Sequence, residues 1–378
     1  MAEVEIGIGK PARLGYALDD VVIVPSRRTR DHEDVDVSWR LDAFDFALPF
    51  MAAPSDAVVS PATAAEIGRL GGVAVLDLEG LWARHDDPEP LFEELAGLER
   101  SRVTRRLQEL YAAPLRADLV AARVAEIAKA GSVTCGAARP QGVAGLAEVV
   151  ASAELEILVV RGTAMSAEHV SKGGETLDLR QLVRRLDVPV VVGGCVSYQG
   201  ALHLMRTGAV AVLVGTGSDA VATRQVLGLG APLATAIADA AAARARHLEE
   251  TGVYVQVVAD GGIWTGGDAA KAIACGADAV MLSAPLAAAE EAPGRGLHWA
   301  SAAAHPSLPR GTLAPVGRLG TLEEILVGPG HDGDGRTNLA GALRSAMASS
   351  GYATLRELHK AEVMVAPLHG HGDGHLRL

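Results

Sequence analysis

Short apolar runs, most of them rich in β-branched residues, recur along the chain with amphipathic segments between them. Eight runs read as strands: Leu48–Ala53, Val73–Leu76, Ser132–Cys135, Ile157–Val160, Pro189–Val192, Val210–Val214, Tyr254–Ala259 and Ala279–Leu282. Most are continuous rather than alternating, the pattern of strands buried on both faces, as in a parallel sheet. Helical segments fall between them at Pro61–Leu70, Leu177–Leu186, Gln199–Thr207, Pro232–Glu250 and Gly267–Ala274. Strand–helix alternation repeated eight times predicts an α/β fold, a (β/α)8 TIM barrel, over a doubly wound open sheet. No G-x-G-x-x-G joins the first strand to its helix, where the open-sheet alternative would carry one.

The whole chain, 1–378, is expected to form one catalytic-type domain with a barrel core over about 45–300. Two segments exceed a minimal barrel. A charged, helix-rich insertion follows the second strand at about 91–130, and a C-terminal extension covers about 298–378. Apolar residues make up 49% of the chain and aromatics only 3%, so Ala, Gly, Val and Leu must build the core. Small side chains suit close packing of helices on a sheet.

No uninterrupted apolar stretch reaches the roughly 18 residues of a membrane span. The 34 Lys and Arg against 46 Asp and Glu give a net charge of −12. An acidic surface argues against broad nucleic-acid binding but not against one anionic ligand in a local pocket. Three cysteines cannot form a disulfide framework, and a reducing compartment fits. The acidic start, Met1–Gly7, has no basic region before an apolar core. No signal peptide is expected, and cytoplasm is the expected location.

In a barrel of this kind, the loops after the strands carry the chemistry. Gly215-Thr-Gly-Ser-Asp219 follows the sixth strand and Asp260-Gly-Gly-Ile-Trp-Thr-Gly-Gly-Asp268 the seventh. Glycines let backbone N–H groups approach an anion, and Asp260 at a strand end can accept hydrogen bonds from hydroxyls. The plainer reading is that these glycines only make tight turns.

The stretch from Ala259-Asp-Gly-Gly-Ile-Trp-Thr-Gly-Gly-Asp268 to Leu282 resembles the signature of the IMP dehydrogenase/GMP reductase family. So do Leu18-Asp-Asp-Val-Val-Ile-Val-Pro25, Leu48-Pro-Phe-Met-Ala-Ala-Pro54 and Gly341-Ala-Leu-Arg-Ser-Ala-Met347, and the similarity runs from about Leu14 to Ala366. The chain resembles short IMP dehydrogenase-related paralogues that lack the paired CBS modules, whose place the insertion fills. The resemblance implies a homotetrameric oxidoreductase, with a purine nucleotide in the barrel mouth and NAD(P) beside it. Carried over residue by residue, nucleotide contacts fall on Ser55, Gly215, Gly217, Ser218, Asp260, Gly261, Gly262, Ser283, Ala284, Arg310 and Gly311. Asp260 would hold the ribose hydroxyls. Cofactor contacts fall on Arg161, Gly193, Gly194 and Cys195.

The departures lie on the functional face. The family's sixth loop carries the cysteine that attacks the purine C2. Here Gly215–Arg224 is one residue shorter and contains no Cys; the nucleophile position falls on Val221, which leaves Thr223 and Cys195 as the catalytic candidates. Asp219 falls where the family places a phosphate-binding Ser. An anion beside a phosphate costs about 1 kcal/mol at 4 Å even in bulk water. The monovalent-cation site that the family builds from this loop carries over only weakly. No Arg-Tyr pair for water activation occurs in Gly311–Gly335. Cys195 is either a relocated thiol or a small packing residue, and Cys135 and Cys275 read as packing residues. His331–Gly335 reads as a turn and His369–His375 as a tail; no metal site is expected. Three functions follow: a family oxidoreductase with weak or absent usual turnover, an inactive nucleotide-binding or regulatory partner, or an oxidoreductase acting on a modified or unphosphorylated purine nucleoside.

Overall fold

The computed structural model describes residues 3–167, 177–217, 227–299 and 313–366. Eight parallel strands close into a barrel: β1 (Phe50–Ala52), β2 (Val73–Asp77), β3 (Cys135–Ala138), β4 (Ile157–Arg161), β5 (Val190–Cys195), β6 (Ala211–Val214), β7 (Gln256–Asp260) and β8 (Ala279–Leu282). Each pairs with its neighbours in chain order, and β8 pairs back onto β1 through Val280 and Phe50. Every residue of β1, β2, β3, β5, β6 and β8 is buried. That is the fold-level meaning of the continuous apolar runs: one strand face fills the barrel and the other meets a helix.

The helices are α1 (Pro61–Arg69), α2 (Ala117–Lys129), α3 (Val143–Ser152), α4 (Leu179–Arg185), α5 (Tyr198–Met205), α6 (Leu233–Thr251), α7 (Gly266–Ala274) and α8 (Leu339–Ser350). Ser60 caps α1 and Ser197 caps α5 through side-chain oxygens that accept from Thr63 N and Gly200 N. α8 packs against α7 and completes the helical ring.

Three sequence expectations shift. The third strand is Cys135–Ala138, not Ser132–Cys135. Ser132 and Thr134 spend their hydroxyls outside the sheet: Ser132 Oγ donates to Ala65 O in α1, and Thr134 Oγ1 donates to Glu154 O after α3. Helix α3 is an addition, seated by buried Val143, Leu146 and Val150 at helical spacing. Gly142 and Gly145 hide that spacing in the sequence. Within the insertion at 91–130, the last helix is α2 itself, packed against α1. The added part is the run to Arg116, which holds the helices Glu89–Gly97 and Arg100–Tyr111.

The ends of the chain are tied to the barrel. Strand Val21–Ile23 pairs antiparallel with Val363–Val365. The hairpin Trp39–Leu41 with Phe44–Phe46 stacks Trp39 on Phe46 at 5.3 Å, and Trp39 Nε1 donates to Gln256 Oε1 at the start of β7. Among the described residues no helix is long and apolar enough to cross a membrane.

Candidate active site

The C-terminal ends of the strands converge on one rim. Arg161 ends β4, Cys195 ends β5, Asp260 ends β7, Gly215 follows β6 and Ser283 follows β8. The central contact is ionic. Arg161 Nε and Nη2 donate to Asp260 Oδ2 at 3.0 and 2.8 Å. Asp260 is 2% exposed and the Arg161 side chain 22%. No described residue donates to Asp260 Oδ1, so the guanidinium fixes the carboxylate by one oxygen and leaves the other as an acceptor.

The glycine loops lock onto each other. A Cβ on Gly215, whose φ is +134°, would lie 1.9 Å from Asp260 O, and one on Gly261 would lie 2.3 Å from Gly217 O. Only glycine allows these backbones to meet. Close packing therefore explains these two residues without any ligand. Gly217 borders the ion pair, since a Cβ there would come within 2.9 Å of Arg161 Nη2.

The four residues matched to a nicotinamide site stand together at the ends of β4 and β5, where Gly193 pairs in register with Arg161. Gly193 and Gly194 are required by strand contact: Cβ atoms there would fall 2.4 Å from Leu213 Cβ and 2.1 Å from Gly215 O. Cys195 is 5% exposed, and its Sγ donates to Leu213 O at 3.4 Å. Burial pushes its thiol up to about 12, which leaves almost no thiolate at neutral pH and makes it a packing residue. The Arg161 guanidinium is taken up by Asp260.

Ser55 is 3% exposed and donates its hydroxyl to Trp299 O at 2.5 Å. Ala284 is 4% exposed, in the short helix Ala284–Ala287. The loops after β2 and β3 are joined by Glu79, which accepts from Arg139 N at 2.6 Å and Arg139 Nη2 at 2.8 Å. Ser218, Asp219, Val221, Thr223, Arg310, Gly311 and the His369–His375 tail lie outside the described residues.

Two features had no sequence signal. Tyr111, from the insertion, donates its hydroxyl to Asp56 Oδ2, which also accepts from Leu81 N at 2.9 Å. Trp299 Nε1 in turn donates to Tyr111 Oη at 3.1 Å. Burial raises the Asp56 carboxyl to about 6. The second feature is His298, 1% exposed, whose Nε2 shares a short hydrogen bond with Ser283 Oγ. Burial, helped by the Arg161 charge, lowers its imidazole to about 4. A lone histidine and a lone tyrosine outside any motif leave no mark in the sequence. Their partners are far along the chain.

Comparison with known proteins places this chain in a family. The family described as "IMP dehydrogenase / GMP reductase domain" matches residues 15–305. An uncharacterized oxidoreductase of Mycolicibacterium smegmatis is 51% identical over 372 residues, covering 96% of this chain and 99% of the relative. Inosine-5'-monophosphate dehydrogenase of Haemophilus influenzae is 38% identical over 205 residues, 47% of this chain and 39% of that one. A crystal structure of an IMP dehydrogenase/GMP reductase-like protein from Corynebacterium glutamicum superposes with a TM-score of 0.91 at 45% identity, covering 96% and 97% of the two chains. Fold, length and sequence agree, and the chain belongs to the IMP dehydrogenase/GMP reductase family.

Proposed function

We propose that the barrel mouth binds a purine nucleotide or nucleoside through Asp260, and that the family's cysteine-dependent oxidoreductase turnover is weak or absent. The observation that carries the reading is the Arg161–Asp260 pair. One carboxylate oxygen is fixed and the other is left to accept from vicinal hydroxyls such as those of ribose. The loop after β6 contains no cysteine, and the thiol of Cys195 is buried and protonated. Without a thiolate, the poorly electrophilic purine C2 lacks the covalent route that would divide one hard step into two.

The relatives are named oxidoreductases and dehydrogenases, and the family resemblance implies nicotinamide-dependent hydride transfer and a homotetramer. An unphosphorylated nucleoside is favoured over a nucleotide by two observations. Asp219 adds an anion to the phosphate loop, and Gly215 and Gly261 are already engaged in backbone contact.

The test is a thermal-shift series with IMP, GMP, inosine and NAD(P)(H), followed by absorbance of any NADH formed. A ligand that binds only the folded state raises the melting temperature as its concentration passes Kd. A purine shift that disappears in Asp260→Ala, with no NADH formed, is the expected result. No shift with any purine overturns the binding reading. Rapid NADH production from IMP that survives Cys195→Ala overturns the claim of weak turnover.

A further inference from the structure

The resemblance matches Ser283 to a nucleotide contact, but the proposed function gives no chemical role to Ser283 or His298, and their geometry is unusual. Ser283 stands at the N-cap position of the short helix Ala284–Ala287, yet its hydroxyl makes no capping bond. Ser60, Ser197 and Thr265 all cap their helices from the same position. The Ser283 hydroxyl is turned instead to His298 Nε2. The other imidazole nitrogen, Nδ1, is buried and has no hydrogen-bond partner among the described residues. Leaving a buried polar atom unpaired costs about 1–3 kcal/mol, and a fold that keeps one calls for an explanation. Ser283 itself is only half-buried at the barrel rim.

We propose that Ser283 and His298 are a nucleophile–base pair, and that the mouth takes a carboxylic ester of a polyhydroxy alcohol. The neutral imidazole accepts from the hydroxyl at Nε2, with its own proton on Nδ1. Ser283 Oγ bonds to the ester carbonyl carbon while the hydroxyl proton passes to His298 Nε2. The bond from that carbon to the alcohol oxygen breaks, and the alcohol leaves with the proton. Water then attacks the acyl-serine, releases the carboxylic acid and restores the hydroxyl; nothing is oxidised or reduced. Asp260 pairs in register with Met281, and Ser283 follows the end of that neighbouring strand two residues later. Both residues thus stand on the same rim, and in the proposal Asp260 Oδ1 holds a hydroxyl of the leaving alcohol. No carboxylate orients His298 among the described residues, so the base is weak and acylation is slow compared with a full triad.

The test treats the full-length chain with an alkyl fluorophosphonate, which carries no purine, so its outcome is separate from the purine-binding reading. Attack forms an Oγ–P bond, expels fluoride and leaves a mass adduct that peptide mapping can place. One adduct on Ser283 is expected, none in Ser283→Ala, and labelling slowed by more than about tenfold in His298→Gln, where the base is gone. The wild-type rate should hold nearly level from about pH 7.5 to about pH 5, because the imidazole stays neutral there. That profile decides the matter if His298→Gln fails to fold. No adduct, an adduct elsewhere with Ser283 free, or a rate proportional to hydroxide would each overturn the proposal.

Discussion

Asp260 was legible as a residue of the rim because it ends an apolar run and opens a glycine-rich loop. Arg161 was legible as a residue of the rim but not as the partner of Asp260, which lies 99 positions away. Asp56 and His298 make opposite demands on pH. Asp56 keeps its proton in the fold up to about pH 6, whereas an unfolded carboxyl releases it near 3.8. Between those values the folded state holds the extra proton, so rising pH removes stability. His298 stays neutral in the fold down to about pH 4, whereas the unfolded imidazole protonates below 6.5. In that window the unfolded state holds the extra proton, so falling pH removes stability. Each contribution is about 3 kcal/mol, and the two nearly cancel between about pH 4 and 6. Asp56→Asn removes the first and leaves the second. Urea unfolding should show the variant gaining about 3 kcal/mol relative to wild type as pH rises from 4 to 7, whatever fixed cost Asn carries. A difference that does not change with pH would contradict the assignment.

Helix α7 shows how an element positions a loop. Thr265 Oγ1 accepts from Asp268 N at 3.1 Å, and Asp268 Oδ2 accepts from Trp264 N at 3.1 Å and Thr265 N at 3.0 Å. This reciprocal cap fixes the exit of the loop that begins at Asp260. Thr265→Ala is expected to cost about 1 kcal/mol in chemical denaturation and to weaken purine binding by freeing that loop. Unchanged stability would show that Asp268 alone holds the turn. The start of α7 was readable to one residue because capping chemistry is local. Strand β3 was misplaced by three residues because apolar Val133 continued the run, while the hydroxyls of Ser132 and Thr134 took partners 67 and 20 positions away. Helix α3 was missed because its glycines mimic a loop, and only burial of Val143, Leu146 and Val150 shows the stripe.

The whole molecule divides its polar groups between two ends. At the end opposite the rim, Asp278 precedes β8 and gathers a buried network. Asp278 Oδ2 accepts from Arg244 Nη1 and Val257 N, both at 2.7 Å, and Oδ1 accepts from Tyr254 Oη at 2.6 Å. Side-chain exposures of 10% for Arg244 and 5% for Asp278 make this a buried pair. Asp278→Ala leaves an uncompensated cation and is expected to cost about 3–5 kcal/mol. Purine-induced shifts, measured on the folded variant, should be unchanged, since that face supports stability rather than ligand contact. Loss of binding in the folded variant would mean that the two ends are coupled. Eight buried runs, the helices between them and two glycine-rich loops were already written in the order of residues, because burial on both faces and the missing Cβ leave local marks. The pairing of Arg161 with Asp260, the sequestering of Cys195, the junction of Ser283 with His298 and the reach of Tyr111 to Asp56 arose only when the barrel closed. Such contacts join residues 15 to 99 positions apart, and their energies depend on distance and desolvation, quantities that exist only once the chain has folded.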